Sequence, residues 1–128
     1  MEKGNDVLNY KMAEYSKAVL QDKPHFHISL VCDVSPNCDC HAENDIPIIP
    51  DVGMFASFDP VALDMACADA CNRQPVIAGS VLCEDGKHEC EGHHDHFHMA
   101  HPDTNWKSCL EHAEKIGIGS QEYELIEI

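Results

Sequence analysis

Two cysteines separated by one residue give this sequence its sharpest candidate for chemistry. They lie in the stretch Asn37-Cys38-Asp39-Cys40-His41. In an extended chain, residues i and i+2 point the same way, so the two thiolates can converge on one metal ion. A tetrahedral site needs two more ligands, for which Cys32 and His41 are nearby candidates. Thiol redox chemistry and loop thiols without any chemistry are the alternatives that the pattern leaves open.

A histidine-rich stretch at residues 88–101 is the second candidate. It holds six of the ten histidines of the chain. If the chain is extended there, alternate imidazoles line one side and can bind zinc, iron, nickel or copper. The candidate ligands are His94, His96 and His98, with His101 as a further one. A solvated loop that takes up metal only adventitiously is the interpretation that this biased composition favours.

Two aspartates, Asp51 and Asp64, complete the set of candidate site residues. Asp64 lies in a predicted helix that is apolar on nearly all sides, where a buried carboxylate must be paired or bound to a ligand. Cys67 and Cys71 share one arc of the same helix with Asp64. Cysteine also packs as a small apolar residue, and packing is the role that we predict for this second pair.

Hydrophobic periodicity predicts the elements that must position these residues. We expect helices at residues 5–20, 60–72 and about 104–116, and strands at 26–34, 52–57, 76–82 and 122–128. Asp59 is the expected N-cap of the second helix, and Pro60 suits its first turn. Gly117 is the natural end of the last helix.

This order of elements predicts an α/β fold. We expect residues 1–128 to form a single small layered domain, with a mixed sheet of about four strands and about three helices. Long loops at about 35–51 and 83–102 interrupt it. The first loop carries the Cys38/Cys40 pair, and the second carries the histidine-rich stretch.

The composition excludes several classes of function. Acidic residues outnumber basic residues 23 to 8 in the 128-residue chain, giving a net charge of −15. This balance argues against a nucleic acid or an anionic membrane as the main partner, since both require a positive surface. With no membrane-span pattern and no secretory signal, we expect a cytoplasmic protein with reduced thiols. Cys83 and Cys90 flank a polar loop, and either a disulfide or added metal ligands would explain them.

Several motifs taken together resemble a known family. They are KMAEY at residues 11–15, SPNCDC at 35–40, PIIPDVG at 47–53, DPVALD at 59–64, HPDTNW at 101–106 and AEKIGIGS at 113–120. In this order they resemble domain-of-unknown-function family 362, whose members are often described as iron–sulfur centre or ferredoxin-linked proteins. The resemblance implies that Cys38, Cys40, Asp51, Asp59 and Asp64 belong to the family pattern.

The resemblance also implies a difference from the usual members of that family. Those members are about three times longer and contain a ferredoxin-like insert with two clusters. This chain looks like the C-terminal part of such a protein and has no C-x-x-C-x-x-C run. The cluster-binding cysteines of the insert therefore have no matching positions here.

Three functions follow as hypotheses. The first is a metal-binding accessory domain of a redox-associated protein, with an iron–sulfur cluster or a zinc ion held by Cys38 and Cys40. The second is a metal-dependent hydrolase or isomerase, in which Asp51 or Asp64 works beside a Cys-ligated metal. The third is a non-catalytic subunit that docks a ferredoxin-like protein or forms a homodimer, which predicts an exposed apolar patch.

Overall fold

A computed structural model of the chain describes residues 4–84 and 95–128. These residues form four helices and two strands, in the order α1 (Gly4–Leu20), β1 (His27–Val31), β2 (Gly53–Ser57), α2 (Pro60–Asn72), α3 (His96–Ala100) and α4 (Trp106–Lys115). The two strands pair antiparallel, with His27 opposite Ser57 and Val31 opposite Gly53. None of these helices is long and apolar enough to cross a membrane.

The predicted mixed sheet of about four strands is wrong, since the described residues form a two-stranded antiparallel sheet. Residues 76–82 fold into turns, because Gly79 takes a positive φ of 86° and its N–H donates to the Cys83 carbonyl. Residues 122–128 have no regular structure. A side-chain bond from the Tyr123 hydroxyl to Asp69 ties this tail to α2.

The helix α2 is the central element, and its start confirms the predicted cap. The Asp59 carboxylate accepts the N–H groups of Val61 and Ala62, and Pro60 occupies the first turn. The same carboxylate also accepts the N–H of Ser120, so it ties the segment after α4 to the start of α2. A Cβ built on Gly119 would collide with this carboxylate, which explains why a glycine precedes Ser120.

Apolar residues cover α2 on two sides. On one side, Val61 packs with Ala13 of α1 and with Leu110 and Ala113 of α4. On the other side, Cys71 packs with a second buried cluster formed by Val31, Ile48 and Ile49. A helix that is apolar on nearly all sides is therefore used as the sequence predicts, because both faces are buried.

The apolar stripe of α1 and the apolar face of β1 both point toward solvent. In α1, the side chains of Leu8, Met12, Tyr15 and Val19 are exposed, while Ala13 is buried. In β1, Ile28 and Leu30 are exposed, while the inward positions are His27, Ser29 and Val31. Because alternate residues of a strand lie on opposite faces, the sheet turns its more polar face toward α2.

The predicted long loop after β1 is ordered. Its second half enters the core, where Ile48 and Ile49 are almost fully buried and the Ile48 N–H donates to the Val34 carbonyl. The second predicted loop contains α3, which lies within residues 83–102. Trp106 fixes α3 to α4, because its indole N–H donates to the carboxylate of Asp95, the N-cap of α3.

The last helix begins later than its sequence signals suggest. Asn105 occupies the N-cap position of α4 without a side-chain cap bond, so the helix begins at Trp106, after the predicted start at about residue 104. The predicted end is confirmed, since Gly117 takes a positive φ of 83° directly after the last turn.

Candidate functional site

The thiols of Cys38 and Cys40 lie on one turn and interact with each other. Both residues are exposed, and the His41 N–H donates to the Cys38 carbonyl at 2.9 Å. The Cys40 backbone N–H, followed by the Cys40 thiol, lowers the pKa of Cys38. The same thiol contact raises the pKa of Cys40. The pair therefore favours one thiolate, on Cys38, with a neighbouring thiol that donates a hydrogen bond to it.

Asn44 holds the turn that presents this pair. Its side-chain oxygen accepts the Asn37 N–H at 3.1 Å. Its amide group donates to the Ser35 hydroxyl and to the Asn37 carbonyl, at 2.9 and 3.0 Å. Asn37 adds a bond to the Glu43 carbonyl. These bonds close the chain across residues 35–44, so the cysteines project from a fixed loop.

His101 connects this loop to the end of the histidine-rich stretch. Its Nε2 lies 2.6 Å from the Pro36 carbonyl oxygen, two residues before Cys38. The two long loops of the sequence therefore meet in space. Since Nε2 of His101 donates in this contact, the imidazole acts as a positioning group for the cysteine loop.

Other candidate ligands are also engaged in local contacts. His41 lies 3.7 Å from the Glu43 carboxylate, and the Nδ1 of His98 lies 3.2 Å from the Thr104 carbonyl oxygen. Cys32 is a free, half-buried thiol after the end of β1. The predicted extended arrangement is wrong for His96 and His98, which lie in α3. His94 lies outside the described residues.

His96 has the hydrogen bonding that a metal-binding imidazole shows. The side chain is buried, and its Nε2 lies 2.9 Å from the Gln74 carbonyl oxygen. This bond places the ring proton on Nε2, which leaves a lone pair on Nδ1. Among residues 4–84 and 95–128, that buried Nδ1 has no hydrogen-bond partner.

These candidate ligands do not come together in the part of the chain that is described. Within residues 4–84 and 95–128, no group of three or more His, Cys, Asp or Glu side chains is arranged to hold a metal ion. Cys38 and Cys40 supply two soft sulfur ligands with one favoured thiolate, which fits a thiophilic metal as one half of a four-ligand site.

The two candidate aspartates have different surroundings. Asp51 accepts the N–H of Asp33 at 2.9 Å, and Asp33 takes a positive φ of 48°. Asp51 therefore stabilises the turn that leaves β1. Asp64 has no hydrogen bond among the described residues and is not buried as predicted; it keeps solvent access at the wall of a cavity.

The cavity beside Asp64 has a volume of about 450 Å³ and lies between α1, α2 and α4. Its lining is mainly apolar, and His27 and Cys109 are among its polar members. Partial desolvation at the wall of this cavity raises the pKa of Asp64, and the charge of His27 opposes that rise. The Nε2 of His27 also lies 2.8 Å from the Nδ1 of His25. This histidine pair was not among the predicted site residues, although the His-x-His spacing at the start of β1 was a visible signal.

The helical cysteines pack as predicted. Cys71 is buried in the cluster between α2 and the sheet, and Cys67 packs against the same cluster. Cys109 packs against the cluster between α1, α2 and α4. Burial raises the pKa of all three thiols, so each is held in its neutral form. Cys83 is disulfide-bonded, whereas Cys90 lies outside the described residues.

Comparison with known proteins gives one match. No curated protein and no solved structure matches the sequence. The sequence model of a domain of unknown function (DUF362) matches residues 1–69. The matched region contains the Cys38/Cys40 pair, Asp51, Asp59 and Asp64, whereas the motifs at 101–106 and 113–120 lie beyond it. Because the match covers more than half of the 128 residues, the chain belongs to this family.

Proposed function

We propose that the chain is a metal-binding accessory domain that holds a thiophilic metal, as an iron–sulfur cluster or a zinc ion, through Cys38 and Cys40. The observation that carries this proposal is the contact between two exposed thiols on one turn, which lowers the pKa of Cys38. The thiolate is the form of cysteine that binds metal. A thiol with a lowered pKa loses less free energy to proton release when it binds a metal.

The arrangement of the loop supports a site that is open to further ligands. Both cysteines are exposed on a turn that Asn44 closes, so a metal on them has free access from solvent. Two sulfurs fill half of a tetrahedral coordination shell, and other thiolates or imidazoles would complete it. When bound, an iron–sulfur cluster would supply electron transfer, and a zinc ion would supply Lewis-acid or structural chemistry.

Metal content tests the proposal directly. The full chain is purified anaerobically without a nickel column, and iron, zinc and acid-labile sulfide are measured beside the visible absorption. We expect near-stoichiometric metal in the wild type and a loss of at least about 10-fold in Cys38→Ser/Cys40→Ser, because both soft ligands are removed. Visible absorption with sulfide indicates a cluster, and colourless zinc indicates a mononuclear site.

A matched variant distinguishes the effect of losing the two thiols from the effect of any change in the loop that contains them. Asp39→Asn changes the residue between the two cysteines but keeps both sulfurs, so it should retain the metal. Metal that persists in Cys38→Ser/Cys40→Ser would refute the proposed site. A wild-type chain without metal, even after incubation with zinc or with iron and sulfide under reducing conditions, would refute it as well.

A second candidate function is acid–base catalysis in the cavity between the helices. The observation that favours it is Asp64, a carboxylate at the wall of this cavity whose pKa is raised by partial desolvation. A carboxyl group with a raised pKa can accept and return protons closer to neutral pH. The test is a carboxyl titration by NMR with Asp64→Asn as the control. An Asp64 pKa at or below the ordinary value of 3.8 would remove this candidate.

A further inference from the structure

The outer face of the sheet is an apolar surface without charge. It consists of Ile28, Leu30, Met54 and Ala56, with Phe26 and Phe58 at one end. We call these six residues the outer sheet face. Ile28 pairs with Ala56 and Leu30 with Met54, so these four lie side by side on one surface. None of the six residues can ionise, although the chain as a whole carries a net charge of −15.

Most of this apolar surface is accessible to solvent. The exposed fractions are 63% for Ile28, 67% for Leu30, 70% for Met54, 53% for Phe26 and 75% for Phe58. The rings of Phe26 and Phe58 contact each other edge to face, with centroids 4.9 Å apart. They continue the apolar surface beyond the end of the strands. A large apolar patch of this kind marks an interaction site rather than ordinary surface.

We infer that the outer sheet face binds the same face of a second copy of this chain. Two sheets that pack face to face, about 10 Å apart, would cover both apolar surfaces at once. A two-fold axis would place the aromatic end of one face over the Leu30 and Met54 end of the other. This inference does not depend on the proposed metal site.

The absence of charge on the face favours a second copy over a basic partner. A basic protein would be attracted to the acidic surface elsewhere, but this face offers it no carboxylate to pair with. An identical face is matched to it in polarity, and neither copy has to bury an ion there. Repulsion between two acidic chains is screened over about 8 Å at physiological salt.

The area of the face sets the expected strength of the dimer. An aromatic side chain buries about 150–250 Å², so the six side chains together offer on the order of 500 Å². Two copies would then bury about 1,000 Å² in total, which is the lower limit for a specific interface. We therefore expect a reversible dimer that forms with rising concentration and not a permanent one.

The exposed stripe of α1 is a less suitable surface and serves as a control. Met12 and Tyr15 lie beside the charged side chains of Lys11 and Glu14, which form an ion pair on the same helix. Covering this stripe would bring those charges to the edge of the contact, where they would lose water. Met12→Lys therefore places the same charge on an exposed apolar position outside the outer sheet face.

Light scattering coupled to gel filtration tests the inference on the full chain, with EDTA to prevent metal bridges and non-reducing gel electrophoresis to identify any disulfide-linked dimer. We expect the wild-type mass to rise from 14.2 kDa toward twice that value between about 1 and 500 µM. Leu30→Lys/Met54→Lys should stay at the monomer mass throughout, and Met12→Lys should behave as the wild type. Circular dichroism checks that each variant is folded.

Amide hydrogen exchange of the wild type keeps the test independent of any variant. Residues 26–31 and 53–58 should gain protection as the concentration rises, while residues of α1 should not. A wild type that stays monomeric across the range overturns the inference. A dimer that survives Leu30→Lys/Met54→Lys overturns it too, and so does a dimer that Met12→Lys abolishes.

Discussion

The molecule treats its cysteines in two opposite ways. In the loop before Asn44, Cys38 and Cys40 are exposed, and backbone and thiol donors lower the pKa of Cys38. Between the helices and the sheet, Cys71 is buried, and desolvation raises its pKa. The same side chain is thus a prospective ligand in one region and a small apolar packing group in the other. The role of a cysteine therefore depends on the hydrogen-bond donors around its thiol and on how deeply it is buried, and not on residue type alone.

The largest expected contrast is the rate of alkylation at neutral pH. Cys38 is exposed and has a lowered pKa, whereas Cys71 is reached only when the packing around α2 opens. We expect iodoacetamide to modify Cys38 at least about 100-fold faster than Cys71, because both access and ionisation favour the loop. Peptide mapping by mass spectrometry, with EDTA present, follows each site over time.

The urea-unfolded chain is the control for this measurement. There the two cysteines should react at rates within about 3-fold of each other, because the folded environment is gone. Equal rates in the native chain would break the contrast between the two regions.

The sequence predicted the residues of this comparison better than it predicted their surroundings. The Cys38/Cys40 spacing predicts a convergent pair on an extended chain, whereas the structure places the two thiols in contact on a turn. The packing of Cys67 and Cys71 follows from an apolar helix with an Asp59 cap, and it is confirmed. These features depend on residues that are close together in the sequence or repeat at helical spacing, so they can be predicted from the local sequence.

The features that were missed depend on contacts distant in sequence. The contact of His101 with Pro36 joins residues 65 positions apart. The orientation of β1 reverses the expected apolar face, and alternation alone cannot say which face meets a helix. The predicted strand at 76–82 failed because the turns at Gly79 and Ser80 end the run before any pairing forms.

The next largest expected effect is a loss of zinc affinity when the Asn44 side chain, which holds the loop of residues 35–44, is removed. Asn44→Ala deletes one acceptor and two donor contacts that hold the chain across Ser35 and Asn37. If the cysteines bind metal as a preformed pair, the affinity for zinc should fall about 10–100-fold while both sulfurs remain. Competition with a chromophoric chelator measures this affinity. Asn5→Ala removes an exposed side-chain bond to Asp103 and should leave it unchanged.

Destabilising the start of α2 should raise the alkylation rate of the buried helical cysteines and leave that of the loop cysteines unchanged. Asp59→Ala removes the bonds to Val61 and Ala62 and the link to Ser120, and should lower the free energy of unfolding by about 1–2 kcal/mol. Chemical denaturation measures this change. Alkylation of Cys71 should then accelerate, with the rate at Cys38 unaltered. Glu111→Ala, an exposed change on α4, should stay within about 0.5 kcal/mol. Acceleration at both sites would mean that the loop shares the stability of the helices.

Replacement of a cysteine by serine should change the free energy of unfolding more in the buried cluster around α2 than in the exposed cysteine loop. Cys71→Ser places a hydroxyl in the apolar cluster with Val31 and Ile49, and should lower the free energy of unfolding by about 1–2 kcal/mol. Cys38→Ser changes an exposed side chain and should be neutral within about 0.5 kcal/mol in the metal-free chain. Thermal and urea unfolding provide both values. Equal losses would show that the loop is part of the cooperative core.

The smallest effect is the pH dependence of each thiol. The pKa of Cys38 is below its ordinary value of 9.0, so its alkylation should reach half of the maximal rate below pH 9.0. The pKa of Cys109 is raised by burial, so its half-maximal rate should lie above pH 9.0. Rates measured from pH 6 to 10.5 on native protein test both directions.

The same two shifts have opposite consequences for folding. Because the unfolded chain ionises Cys109 more readily than the folded chain, its contribution to stability is present below pH 9.0 and is lost as the pH rises through the raised pKa. The contribution of Cys38 is present above pH 9.0 and is lost as the pH falls through its lowered pKa. Cys109→Ala should therefore flatten the loss of stability at alkaline pH. Cys38→Ser removes both the lowered pKa of Cys38 and the raised pKa that Cys38 imposes on Cys40, and because these two shifts oppose each other it should change that loss little. An alkaline loss of stability that is unchanged in Cys109→Ala would show that burial of this thiol does not oppose its ionisation.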